Sequence, residues 1–106
     1  MRLMTKALEE AFAKQGDTSE MDPKDTKIIA KFFNPTGRGK WYAVEYDPKN
    51  RTFFGFVSLF GDHNDELGSF SLGELEDFRG RGESRIERDS WLGDFTLYEI
   101  MNGARP

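Results

Sequence analysis

Between Lys27 and Phe60 the chain runs through three stretches dense in aromatic and β-branched residues: KIIAKFF (27–33), KWYAVEYD (40–47) and TFFGFVSLF (52–60). Only the short sequences NPTGRG and PKNR separate them. Such residues suit a pleated, half-buried backbone, and Pro, Gly and Asn clusters reverse it. Connections this short suit neighbouring antiparallel strands, so residues 27–60 are predicted to form a three-stranded meander.

Alternation assigns the faces. In the second run Tyr42, Val44 and Tyr46 are expected on one side, with Trp41, Ala43, Glu45 and Asp47 on the other. In the third, Phe54, Phe56, Ser58 and Phe60 oppose Phe53, Gly55, Val57 and Leu59. Both sides of that run are largely apolar, which suits a central strand covered on two faces. Gly55, set between aromatics, signals a bulge or the close approach of a neighbour.

The flanks read as helices and one or two further strands. Leu3, Met4, Ala7, Leu8, Ala11 and Phe12 make an apolar stripe at helical spacing over 2–15, with Gly16 as the stop. The polar segment 16–26 is a connector. A hydrophilic turn, 61–68, leads to a short strand at Gly68–Phe70, and Arg85–Asp89 can add a last one. Ser71-Leu72-Gly73-Glu74 and Thr96-Leu97-Tyr98-Glu99 both have the capping-box pattern. Each should open a short helix: the first buries Leu72, Leu75 and Phe78 and stops at Gly80, the second packs Leu97, Ile100 and Met101 inward and ends near Gly103. The predicted fold is α+β: one domain over 1–106, an antiparallel sheet of four to five strands, an N-terminal helix and two short C-terminal helices.

Composition removes several function classes. With no Cys there are no disulfides, thiolate metal sites or cysteine nucleophiles, and the single His63 cannot supply a site needing two imidazoles. No apolar run approaches a membrane span and the N-terminus lacks a secretory apolar stretch, so a cytoplasmic protein is expected. Net charge is −4, and the chain is repelled by nucleic acid unless a local basic patch overrides that field. Fifteen aromatic side chains suggest a sheet packed by rings, or a core plus an exposed aromatic surface.

No motif for catalysis or metal binding holds. Gly37-Arg38-Gly39-Lys40 has neither the Walker spacing nor a following helix. Asp62-His63-Asn64-Asp65-Glu66 alternates oxygen ligands, but counting from Asp62 it puts Leu67 and Gly73 where a calcium loop needs Gly and Glu. Arg79-Gly80-Arg81-Gly82 reads as a helix end and a turn. Paired carboxylates occur at Glu45/Asp47 and Glu87/Asp89. Glu45 interrupts an aromatic strand, so it calls for a cation, and Arg88 is the expected partner in a structural ion pair.

Four blocks then fall in order: WYAVEYD (41–47), FFG (53–55), ELGSFSLGEL (66–75) and ERD (87–89). Together they resemble the bacterial family catalogued as domain of unknown function 2958, over about residues 3–100. The resemblance implies an accessory role on mobile genetic elements such as plasmids, conjugative elements and phages. It brings no assigned activity and no cofactor, so no catalytic residue is carried over.

The function expected is a small non-catalytic accessory protein acting through protein–protein contact, with no cofactor, no metal and no membrane partner. The alternative is single-stranded nucleic-acid binding, with Trp41 stacking bases while Lys31, Arg38 and Lys40 hold phosphates. A hydrolase using Glu45, Asp47 or Asp89 is the third reading. Trp41, at a strand end beside the basic turn, is the aromatic expected at an interface if it does not simply close the core.

Overall fold

The computed structural model describes residues 2–59 and 65–106; Phe60 and the turn residues 61–64, which include most of the calcium-like spacing, lie outside the described residues. Helix α1 (Lys6–Gln15) is followed by strands β1 (Ala30–Phe33), β2 (Lys40–Asp47), β3 (Thr52–Ser58) and β4 (Glu66–Ser71). Helix α2 (Leu72–Asp77), strand β5 (Glu87–Arg88) and helix α3 (Leu97–Met101) complete the order. The strands form one antiparallel sheet, β4-β3-β2-β1-β5, so β3 and β2 are interior and β5 closes the edge beside β1. The predicted α+β architecture is the one observed.

Turn chemistry makes the meander. Asn34 N–H donates to the Gly39 carbonyl at 2.9 Å, and the Asn34 side chain accepts from the Thr36 N–H at 3.0 Å. The glycines of this segment therefore serve a hairpin, with Arg38 exposed at its tip. In the next turn Asp47 accepts from the Lys49 N–H at 3.0 Å and the Asn50 amide at 2.7 Å.

The faces differ from simple alternation, and Gly55 shows why. Ala43 pairs with Gly55 and Glu45 with Phe54, so Val44 is an extra residue, a bulge. A Cβ on Gly55 would lie 1.8 Å from the Tyr42 carbonyl oxygen, so only glycine permits this approach. One added residue inverts every side chain after it. Trp41, Ala43 and Tyr46 therefore pack on the first face, whereas Tyr42 and Val44 join the second, and the predicted grouping of Tyr46 with Tyr42 is corrected.

The first face is covered by α1 and α2 and packed by rings. Phe53 meets Phe12, Phe32, Tyr46 and Phe70 at centroid separations of 5.7, 5.1, 4.9 and 5.1 Å. The second face packs Tyr42, Val44 and Phe56 against Leu97 and Ile100 of α3. Most of the aromatic content is thus core.

The helices start where their caps are. Helix α1 begins at Lys6 rather than residue 2, because the Thr5 hydroxyl accepts from the Leu8 N–H at 3.2 Å; Leu3 is still buried, from the irregular segment before the helix. Gly16 ends it at φ +69°. Helix α2 ends before Gly80, with the Phe78 N–H on the Glu74 carbonyl, and Gly80 instead lets Thr36 and Ser84 approach. Thr96 and Glu99 form the full capping box of α3. Met101, predicted to pack inward, is exposed.

Candidate functional site

Two places carry chemistry that the core does not use. The first is a polar group on the second face, at the hairpin end of β1, β2 and β3. Register sets Lys31 opposite Tyr42 and Tyr42 opposite Phe56; Lys40, two residues before Tyr42 on the same face, stands between Phe33 and Ser58. The Lys31 ammonium is 3.3 Å from Asp89, donates to the Pro106 carbonyl and lies over the Phe33 ring. On the other side the Arg105 guanidinium sits 3.1 Å from Asp65 and over the Phe56 ring, and Asp65 also accepts from the Ser58 hydroxyl at 2.8 Å.

Tyr42 lies between these two ion pairs. Its side chain is fully buried, and its hydroxyl has no hydrogen-bond partner among the described residues. Burial pushes its pKa up to about 12, so the hydroxyl keeps its proton well into alkaline solution. Burial, and then repulsion from Lys31 and Arg105, lowers the Lys40 pKa.

The second place is the segment after β5. Residues 87–89 pair along β1, with Asp89 N–H on the Lys31 carbonyl at 2.9 Å. The chain then leaves the edge and returns where the Ile28 N–H meets the Phe95 carbonyl at 2.9 Å and Lys27 bridges Thr96. Residues 90–94 form the excursion. Leu92 and Phe95 turn into the second-face core, while Trp91 stands out, 94% exposed. Its N–H donates to Asp89 at 2.8 Å, so the carboxylate that holds Lys31 also sets the loop. Beside it runs a groove of about 400 Å³ between α1 and β1, with Leu8, Ile28, Arg88 and Leu92 among its walls.

The residues singled out in the sequence do not form one cluster. Lys31 and Lys40 share the second face, but Lys31 is buried and paired. Trp41 is half-buried on the opposite face, packed on the first-face core with its indole against Gly39. Arg38 is exposed at the hairpin tip.

Glu45 and Arg88 are not brought together. Arg88 stands across Phe32, at the level of Trp41, and Glu45 lies four residues further along β2, roughly 13 Å away at strand rise. Glu45 accepts from the Thr18 hydroxyl at 2.8 Å, whereas Arg88 donates to the Arg2 carbonyl at 2.8 Å. Asp47 is the exposed last residue of β2, its carboxylate turned to the following turn, and Asp89 is an ion-pair partner, so these carboxylates do not converge either.

Sequence reasoning missed Trp91, Arg105 and Gln15. The Gln15 amide clamps Lys27 and Val44 where β2 runs beyond β1. The only sequence signal for Trp91 is a lone indole in DSWLGD, outside any periodic apolar stretch.

A family model described as protein of unknown function (DUF2958) matches residues 3–105, nearly the whole chain. No protein of curated function matches, and no solved structure does.

Proposed function

We propose that this chain, which belongs to the DUF2958 family, is a non-catalytic module that binds a protein partner through the 89–95 loop, with Trp91 as its anchor. The observation that carries this reading is the 94% exposure of Trp91 on a loop whose other large apolar side chains face the core. An indole offers about 200 Å² to a partner, and Trp is among the side chains most enriched at interface hot spots. Asp89 accepts from the backbone N–H of Trp91 and so holds the main chain beneath the indole.

The loop's charge favours protein over nucleic acid. Asp94 lies three residues after Trp91, and a carboxylate repels a phosphate backbone. The cluster required for base stacking is divided between two faces, with Lys31 already neutralised by Asp89. The setting we infer is the cytoplasm, as an accessory of mobile genetic elements; no described helix is long and apolar enough to cross a membrane.

Affinity capture from host lysate with wild type and Trp91→Ala tests the proposal. The variant should melt like wild type, within about 0.5 kcal/mol, and lose a protein that wild type retains. Equal capture by both would refute it. Salt-sensitive quenching of Trp fluorescence by single-stranded DNA or RNA that persists in Trp91→Ala would favour the nucleic-acid alternative, which stacks bases on Trp41.

A further inference from the structure

Of the polar group around Tyr42 only Asp89 serves the Trp91 loop, and one cation of the group has no acceptor among the described residues. Lys31 is matched by Asp89 and Arg105 by Asp65. Lys40 has no acceptor among the described residues. Beside it, Tyr42 is the one described residue with a buried side-chain polar atom that lacks a hydrogen-bond partner. A buried donor left unsatisfied costs about 1–3 kcal/mol, a cost Phe at this position would avoid with the same ring.

We propose that Lys40 and Tyr42 seat a single oxyanion, the carboxylate or phosphate of a small ligand, between the Lys31–Asp89 and Arg105–Asp65 pairs. The ammonium supplies the charge and the phenol supplies a hydrogen bond. Donor and charge lie two residues apart on one face of β2, roughly 7 Å along the strand, which suits two oxygens of one group. Phenol to anion is a charge-assisted bond, stronger than a neutral one. A tyrosine hydroxyl is protonated at neutral pH and burial raises its pKa further, so it donates rather than repels. The ion pairs on either side hold the rims: each cation is fixed by its carboxylate, and Arg105 is further tied by its guanidinium to the Ile100 carbonyl. The cover is the irregular segment 104–106, through Arg105 and the Pro106 carbonyl.

NMR titration of the wild-type chain with inorganic phosphate, and separately with acetate, reads the site at constant ionic strength set by chloride. Saturable shifts at Lys40, Tyr42 and their neighbours are expected with one of the two anions, and which one saturates names the class. Lys40→Gln should abolish saturation. Tyr42→Phe, which keeps the ring and the fold, should weaken binding by about tenfold or more; Trp91→Ala should leave it unchanged. Linear, non-saturating shifts with both anions would overturn the proposal, because they would mean that the hydroxyl meets only water. Saturation that persists undiminished in Tyr42→Phe would overturn it equally.

Discussion

On the first face of the sheet Phe53 meets four other rings. On the second, the equally buried Tyr42 lies between two ion pairs with its hydroxyl unused. The same strands build both faces, so the contrast is one of side-chain choice and not of backbone. Ring contacts of this kind add about 0.5–1.5 kcal/mol each beyond the area they bury. A buried hydroxyl without a partner works against folding. Both faces bury apolar side chains, Val44, Phe56, Leu97 and Ile100 on the second, but the second also keeps a buried hydroxyl that stability does not require. Buried polar groups that do not help the fold are where binding chemistry is to be sought.

The most drastic way to break the comparison is to remove the device that separates the faces. Gly55→Ala places a methyl group where the Tyr42 carbonyl passes, and backbone cannot yield as a side-chain tip does. The bulge at Val44 should be lost and both faces misassigned, at a cost above about 4 kcal/mol. Circular dichroism should show a chain that is unfolded or lacks near-UV structure. A variant that melts near wild type would mean that the bulge does not set the faces.

A smaller effect sharpens the comparison from the alkaline side. The Tyr42 hydroxyl ionises near pH 10 in the unfolded chain and near 12 when buried. Between those values the folded state holds a proton that the unfolded state has released. Stability present below pH 10 is therefore lost as pH rises towards 12, by at most about 1.4 kcal/mol per pH unit. Urea titrations at pH 9, 10 and 11 should show this slope in wild type and a shallower one in Tyr42→Phe. Equal slopes would place the Tyr42 hydroxyl in water.

The strands were legible because aromatic runs and Pro/Gly turns are local signals, and Thr5, Ser71 and Thr96 cap helices as side chains of their kind do. The bulge was legible only as a glycine. One extra residue leaves composition unchanged, so nothing in KWYAVEYD shows that Tyr46 crosses to the face of Phe53. Long-range pairs were not legible. Lys31 finds Asp89 58 positions away, and Arg105 finds Asp65 40 positions away. Glu45 and Arg88 are complementary in charge but out of register along the sheet. Trp91 was passed over because burial is what periodicity reports, and this indole has almost none.

Side-by-side urea unfolding of Phe53→Ala and Tyr42→Phe measures the difference between the faces directly. Phe53→Ala should cost about 3–5 kcal/mol, as loss of a large buried ring does. Tyr42→Phe should lie within about 1 kcal/mol of wild type or above it, since it deletes an unpaired hydroxyl and keeps the ring. A Tyr42→Phe variant destabilised as much as Phe53→Ala would contradict the account, because the hydroxyl would then be holding the fold together.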